Sequence, residues 1–207
     1  EGSSVSVDAL TVTGLGLSGH MTIAFAISQL GEILEVEEKK PFRFKGASGW
    51  ASGSVRYASK FNELQKLEWS ILMITGSKSN EIFQYAAKSL GSDFKVTRLD
   101  VCVDVKMREK VLKLPRLLRD WYKGKKKPQL IESLTGDTFY LGDRATSPCY
   151  VRIYDKSTEY GEDLGMVWRF EVECKKELGN EIASRYAGED VEIWGRDLVF
   201  GLIHKQG

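Results

Sequence analysis

Histidine and cysteine are both scarce in this chain, which limits the chemistry it can perform. Only His20 and His204 occur among 207 residues. Most metalloprotease, histidine-triad and tandem-histidine nickase sites are thereby excluded, because they need two imidazoles close together or one beside a nucleophile. The three cysteines, Cys102, Cys149 and Cys174, form no Cys-x-x-Cys pair. An odd number of widely spaced cysteines favours reduced core thiols over a disulfide framework or a zinc site.

The chain also lacks an excess of charge and a long hydrophobic run. Thirty Lys and Arg against 29 Asp and Glu give a net charge of +1, so any charged binding surface has to be local. The longest apolar-leaning run, residues 21–30, is far shorter than the roughly 20 residues of a membrane span. With four prolines and 42% apolar residues, we expect one soluble, cytoplasmic globular domain over 1–207 without a membrane partner.

An internal repeat divides the sequence into two related parts. The segment VSVD at 5–8 matches VCVD at 101–104, an offset of 96 residues. The same offset pairs further residues without a gap: Phe44 with Tyr140, Gly46 with Gly142, Val55 with Val151, Arg56 with Arg152 and Lys60 with Lys156. We therefore predict two related halves, 1–95 and 96–190, and a closing segment at 191–207 that contains a short strand or turn.

Each half is predicted to contain the same elements, in the order β-α-β-β-β-α. The first half has predicted strands at 5–13, 42–45, 54–59 and 67–75 and helices at 21–34 and 81–90; the second has strands at 97–105, 138–141, 150–155 and 167–174 and helices at 109–122 and 181–187. Asn80 and Asn180, with the residue before each, are predicted to cap the second helices. Short connections favour antiparallel pairing, so we expect an α+β fold: one large, curved, mostly antiparallel sheet with helices on one side.

Three predicted strands of the second half carry ionisable groups on one face only. Side chains alternate between faces along a strand, so the apolar residues of each strand face one way and the polar residues face the other. The polar set comprises Arg98, Asp100, Cys102 and Asp104, then Tyr150, Arg152, Tyr154 and Lys156, then Arg169, Glu171 and Glu173.

The first half keeps some members of this set and lacks others, which makes it a control. The offset of 96 places Ser4 opposite Asp100 and Ala58 opposite Tyr154. A fold alone requires neither difference between the halves. The alternative is a solvated sheet face in which arginines balance the acids.

The polar set suggests phosphoryl chemistry. Carboxylates on neighbouring strands can hold a hard divalent cation through oxygen ligands, and such an ion offsets the charge that builds when an oxygen attacks a phosphate. Because alternation along the strands places Asp100, Glu171 and Glu173 on the same face of the sheet, we predict that they converge on one ion. Tyr154 would supply the attacking oxygen, with Arg152, Lys156 or the metal helping to deprotonate it.

Four segments of the second half carry a family resemblance. They are Thr97-Arg98-Leu99-Asp100 with Asp104, the run 138–144 with Ser147, Arg152-Ile153-Tyr154-Asp155-Lys156 with Glu159, and the run 168–173. In order and spacing over about 97–187 they resemble the rolling-circle replication initiators of the Rep-trans superfamily. That superfamily includes staphylococcal-type plasmid initiators, and conjugative-element relaxases and phage replication initiation factors are related to it.

The resemblance implies a DNA nickase and strand transferase. In that family a tyrosine nicks one DNA strand, becomes linked to the 5′ phosphate and leaves a 3′ hydroxyl that primes replication or starts transfer. The implied roles are Tyr154 as nucleophile, Lys156 and Arg152 as phosphate-binding partners, Asp100, Glu171 and Glu173 as ligands of Mg²⁺ or Mn²⁺, and Asp104 as a fourth ligand or a supporting group. The implied partners are single-stranded or supercoiled origin DNA, a second copy of the chain and a host helicase, in the cytoplasm of a prokaryotic host.

Two other functions stay open at this point. One is a non-catalytic DNA-binding or dimerisation module whose acids are only a charged surface. The other is a two-metal primase or nuclease in which Asp100, Asp104 and Glu171 act on a water or nucleotide while Tyr154 only packs. The basic run at 123–127 is either a phosphate contact or a solvated loop.

Overall fold

The computed structural model of the protein describes residues 2–30, 47–62, 66–107, 114–124, 128–133, 136–157 and 166–206. Within these ranges the chain forms nine strands and five helices. The strands are β1 (Ser3–Leu15), β2 (Ser48–Ser52), β3 (Val55–Asn62), β4 (Lys66–Thr75), β5 (Phe94–Met107), β6 (Gln129–Ile131), β7 (Thr138–Leu141), β8 (Cys149–Asp155) and β9 (Met166–Lys175). The helices are α1 (Gly16–Ser28), α2 (Ser77–Lys88), α3 (Leu114–Trp121), α4 (Lys176–Arg185) and α5 (Val191–Gln206).

The nine strands form one sheet in the order β2-β3-β4-β1-β5-β9-β8-β7-β6. The pairs β2–β3, β3–β4, β4–β1, β9–β8, β8–β7 and β7–β6 are all antiparallel. The predicted α+β class with a mostly antiparallel sheet is therefore confirmed. None of the helices in the described ranges has the length and hydropathy needed to cross a membrane.

Contacts divide the chain into two compact units. Unit 1 consists of Glu1–Ser6, Asp100–Cys174 and Asp190–Gly207, and unit 2 consists of Val7–Leu99 and Lys175–Glu189. Most of the predicted first half lies in unit 2, and most of the predicted second half lies in unit 1. The exceptions include the start of β1, which belongs to unit 1, and helix α4, which belongs to unit 2. The first half keeps the predicted order of elements, and the second adds the short strand β6. The duplication, and the assignment of all residues to a single domain, stay predictions.

In unit 1, aromatic rings mark the apolar face of the strands. The Phe200 ring of α5 lies 5.3 Å from the Phe170 ring of β9, measured between centroids, and the Tyr122 ring lies 6.3 Å from the Phe139 ring of β7. Phe139 and Phe170 both lie opposite Ile153 of β8, so all these rings share one face. The polar residues that alternate with them along β8 and β9 lie on the other face.

The closing segment is a helix and not the predicted short strand or turn. Val191, Trp194, Gly195 and Val199 of α5 are buried, a spacing of three and four residues that a helix requires. Gly195 obscured this pattern in the sequence. A Cβ at Gly195 would lie 2.5 Å from a methyl carbon of Val5, so the helix backbone packs directly on the sheet.

The predicted turn between the strands at 42–45 and 54–59 contains a strand. Residues 42–45 lie outside the described ranges, and Ser48–Ser52 pairs with β3 as β2. The hairpin turns at Gly53, whose φ is +52°, a conformation that glycine adopts without strain. A Cβ at Gly49 would lie 2.1 Å from the Tyr57 carbonyl oxygen, so the close approach of these two strands requires glycine.

The asparagines predicted to cap α2 and α4 have another role. Neither helix has a side-chain cap at its N-terminus. Within unit 2, Asn80 Oδ1 accepts the backbone N–H of Val7 at 3.4 Å, and Asn180 Oδ1 accepts that of Val96 at 3.1 Å. Each asparagine therefore ties its helix to a strand. Helix α1 starts at Gly16, five residues before the predicted start at Met21.

Candidate active site

Four carboxylates of unit 1 are buried on the polar face of the strands. The exposed fraction is 1% for Asp100, 6% for Asp104, 1% for Glu171 and 3% for Glu173. The alternative of a solvated, charged sheet face is therefore wrong. Carboxylates this deeply buried are stable only when they are paired or hydrogen-bonded, so the positions of the nearby cations determine the arrangement.

Arg152 of β8 brings two of these carboxylates together. It lies directly opposite Glu171 in the pairing of β8 with β9; its Nη2 donates to Glu171 Oε1 and lies 3.6 Å from Asp100 Oδ2. Burial alone lowers the pKa of Arg152, but the charges of Glu171 and Asp100 and the hydrogen bond to Glu171 outweigh it and raise the pKa. The guanidinium therefore stays charged, and carboxylates from two strands share one positive centre.

Tyr154 places its hydroxyl beside the same glutamate. The hydroxyl donates to Glu171 Oε2 at 3.4 Å, a long hydrogen bond, and the side chain is half-buried. Tyr154 thus lies on the carboxylate face and not within the apolar core. A hydroxyl within reach of a carboxylate and close to an arginine is the arrangement that a tyrosine nucleophile needs.

Asp104 forms a separate ion pair with Arg169. The guanidinium donates from Nε to Asp104 Oδ1 at 2.6 Å and from Nη2 to Oδ2 at 2.7 Å, and both side chains are buried. Arg169 lies directly opposite Tyr154 across β8 and β9. Because both oxygens of Asp104 bind Arg169, this geometry favours a supporting role for Asp104 over metal ligation.

A loop between β7 and β8 brings a further cation to the site. Gly142 has a φ of +94°, Asp143 Oδ1 accepts two backbone N–H groups of the turn at 2.7 and 2.9 Å, and Ser147 Oγ accepts the Asp143 N–H at 3.0 Å. This turn presents the exposed Arg144, with Nε 3.5 Å from Glu173 Oε2. No role for Arg144 was predicted from the sequence, although the Gly-Asp pair followed by serine was a signal of an ordered turn.

Two other tyrosines stand near the site. Tyr150 is 7% exposed, and its ring stacks on that of Tyr140 with centroids 5.7 Å apart. Burial and the neighbouring Tyr140 raise the pKa of Tyr150, which makes its phenol a poorer nucleophile than an unperturbed one. Tyr154 therefore remains the better candidate of the two described tyrosines on β8.

Lys156 follows the last residue of β8 and is buried. Its backbone N–H donates to the Val167 carbonyl at 2.8 Å. Next to it, Asp155 Oδ1 accepts the Ser157 N–H at 2.8 Å, and Ser157 Oγ accepts the Val167 N–H at 2.9 Å. The end of β8 is therefore held in place beside the start of β9, and the Tyr-x-Lys segment with it.

The predicted metal site is assembled only in part. In the part of the chain that the structure describes, no three His, Cys, Asp or Glu side chains are grouped so that they could hold a metal ion. Asp100 and Glu171 are brought together by Arg152, Glu173 is beside Arg144, and Asp104 is bound to Arg169. Convergence of Asp100, Glu171 and Glu173 on one ion stays a prediction.

The position matched to Tyr154 in the first half has different surroundings. Ala58 is 1% exposed and lies opposite Ile71 of β4 and Gly49 of β2. A Cβ at Gly49 would lie only 2.8 Å from the Ala58 Cα, so the neighbouring strands pack closely here. Neither cross-strand partner carries an acidic group.

No protein-family model matches this sequence, and no curated protein matches it either. Among solved structures, the chain is similar to the rolling circle replication initiator protein from Geobacillus stearothermophilus, with a TM-score of 0.66 and 21% sequence identity. The alignment covers 99% of this chain and 86% of that chain. At this identity the likeness shows a shared fold: nearly the whole chain has the fold of a rolling circle replication initiator.

Proposed function

We propose that this chain initiates rolling-circle replication or conjugative transfer by nicking and rejoining one DNA strand through Tyr154. The observation that carries the proposal is the Tyr154 hydroxyl beside the buried Glu171 carboxylate, which Arg152 also contacts. The likeness in fold to a replication initiator supports the choice of DNA as substrate. The sequence resemblance supports it independently, because it rests on Tyr154, Lys156 and the acids themselves.

The proposed reaction exchanges one phosphodiester for another. The Tyr154 oxygen attacks a backbone phosphorus atom, and its proton passes to Glu171. The bond from phosphorus to the 3′ oxygen breaks, and that oxygen takes up a proton and leaves as a 3′ hydroxyl. The 5′ phosphate stays esterified to Tyr154 until a 3′ hydroxyl attacks it, rejoins the strand and restores the tyrosine. No external energy source is needed, because one ester bond is made for each one broken.

Cations around Tyr154 would hold the phosphate and stabilise its developing charge. Arg152 already contacts Glu171, which accepts a hydrogen bond from the Tyr154 hydroxyl. Arg152 therefore lies close to the oxygen that would attack the phosphate. Lys156, two residues along from Tyr154, is a second candidate. Arg144, which is 58% exposed, is more open to an incoming DNA backbone than Arg152, which is 23% exposed.

The donor chemistry at Asp100 and Glu171 fits a divalent metal ion. Both groups are buried carboxylates gathered on one positive centre, the Arg152 guanidinium, and carboxylate oxygens are the ligands that Mg²⁺ and Mn²⁺ prefer. We propose Asp100, Glu171 and Glu173 as the groups that would hold the ion; Glu173 would have to come closer to the other two, because no three acids of the described residues are grouped closely enough to hold one. When bound, it would polarise the phosphate and offset the charge of the leaving oxygen. Asp104 would support the site through Arg169.

The test is a covalent adduct between the protein and DNA. Supercoiled plasmid and single-stranded circular DNA carrying candidate origins are incubated with the protein and Mg²⁺ or Mn²⁺, and adducts are separated on a denaturing gel. Tyr154→Phe keeps the ring but removes the attacking oxygen, so nicking and adduct should both be lost. Tyr150→Phe is the matched control on the same strand face and should retain both.

Each other outcome points to a different function. An adduct that persists in Tyr154→Phe moves the nucleophile to Tyr150 or to Tyr160, which lies outside the described residues. Metal-dependent cleavage without any adduct would favour the two-metal nuclease or primase. Binding of DNA without cleavage by any preparation would favour the non-catalytic module. Sedimentation of the chain alone and with a host helicase tests the proposed homodimer and helicase partner.

A further inference from the structure

A groove of about 500 Å³ lies between the end of α3 and the last turns of α5 in unit 1. Four of the seven described residues that line it carry an aromatic ring: Trp121, Tyr122, Phe200 and His204. Trp121 is 75% exposed and Phe200 is 39% exposed. Large exposed rings gathered around a concave surface are typical of a binding site and not of ordinary protein surface.

A second pocket of about 340 Å³ adjoins the first. Phe200 lines both pockets, Lys123 lines the larger one, and Arg196 lines the smaller one. Among the residues that the structure describes, none that lines either pocket is acidic. The two pockets thus combine two cationic side chains with several aromatic rings.

The groove lies on the opposite face of unit 1 from Tyr154. Phe200 contacts Phe170 on β9, whose neighbours Arg169 and Glu171 point to the catalytic face. The reacting phosphate would therefore not occupy this groove, and any nucleic acid in it would be another part of the strand.

We propose that this groove binds unpaired nucleotides of single-stranded DNA, with bases stacked on Trp121 and Phe200 and phosphates beside Lys123 and Arg196. Base stacking on aromatic rings combined with a basic track is how proteins hold single strands without reading their sequence. Duplex DNA offers no free base face, so it gains little from the rings. The inference rests on the proposed function, because it takes DNA as the substrate and adds a second contact with it.

The test measures binding of a fluorescent 30-nucleotide oligo-dT to the full chain by anisotropy. Trp121→Ala should weaken binding about tenfold, because one lost stacking interaction has about that effect. Lys123→Ala should reduce the dependence of log affinity on log salt by about 0.7, the value for one phosphate contact with a single strand. Leu117→Ala is the matched control, since Leu117 is 57% exposed on the same helix but does not line the groove, and it should bind like the unmodified protein.

The outcomes separate this inference from the proposed function. If the unmodified chain forms the Tyr154 adduct but the affinity of Trp121→Ala for oligo-dT is within twofold of that of the unmodified chain, the groove proposal is wrong and the nicking proposal stands. If Trp121→Ala weakens binding while no preparation forms an adduct, the groove proposal stands and nicking fails. Equal weakening for oligo-dT and a 30-base-pair duplex would overturn the groove proposal. If Trp121→Ala changes the mass measured by sedimentation but leaves the affinity for DNA unchanged, the groove binds a protein partner. That result would also overturn the groove proposal.

Discussion

The buried ion pair between Asp104 and Arg169 allows a direct test of what Asp104 does. The two side chains are only 7% and 5% exposed and share two hydrogen bonds of 2.6 and 2.7 Å. Asp104→Asn removes the negative charge but keeps the size, so Arg169 is left as a buried charge with one weaker hydrogen bond. Removing one partner of a buried ion pair costs about 3–5 kcal/mol. We expect the free energy of unfolding to fall by about 3 kcal/mol, measured by urea denaturation without metal.

Two comparisons make this test specific. Asp104→Leu combined with Arg169→Met removes both charges and should restore most of the lost stability, because apolar pairs of similar volume often replace buried ion pairs without loss. Asp120→Asn breaks a pair with Arg119 whose side chains are 65% and 46% exposed, and it should cost less than about 1 kcal/mol. If Asp104→Asn costs less than about 1 kcal/mol and instead abolishes Mn²⁺ binding, Asp104 is a metal ligand and our interpretation is wrong.

Three further predictions follow from particular contacts. The hydrogen bond with Cys149 and burial raise the pKa of the Cys174 thiol. The folded thiol therefore stays protonated where the unfolded one ionises, above about pH 8.5. Below that pH, Cys174 should not make the free energy of unfolding depend on pH. Above it, the free energy of unfolding should fall by up to about 1.4 kcal/mol per pH unit. Urea titrations of Cys174→Ala should lack this slope. Gly195→Ala should lose about 1–3 kcal/mol in urea denaturation, since its Cβ would lie 2.5 Å from a valine methyl, whereas Gly201→Ala in the same helix meets nothing within 4 Å and should gain up to about 1 kcal/mol. Arg144→Ala should raise KM for nicking about tenfold, because it removes one charge-assisted phosphate contact from an exposed loop.

The strands that carry the candidate site were predictable because each has an apolar and a polar face. Alternation predicted strands at 97–105, 150–155 and 167–174, and the structure has them at Phe94–Met107, Cys149–Asp155 and Met166–Lys175. The pattern failed at α5 and β2, where Gly195 and Gly49 interrupt it. At both glycines a Cβ would collide with another segment, with the Tyr57 carbonyl oxygen at Gly49 and with a Val5 methyl carbon at Gly195. Such close approaches leave no periodic signal in the sequence.

The contents of the site were predictable in part. Successive side chains of a strand point to opposite faces, and this alternation placed Tyr154 and the carboxylates on the same face. It did not reveal that this face is buried, since burial depends on which segments cover the strand. Arg144 was missed for a related reason: the side chain belongs to a turn, and only the folded loop brings it to Glu173.

The sequence by itself determined which side chains share a face, because alternation along a strand is a local property of the backbone. It also determined the composition of that face: two tyrosines, four carboxylates and several cations, without histidine. Tertiary structure alone decided which cation meets which acid. The pairing of β8 with β9 sets Arg152 opposite Glu171 and Tyr154 opposite Arg169, and a shift of one residue in register would exchange every one of these partners. Register depends on the packing of the whole sheet, so no stretch of sequence read alone contains it.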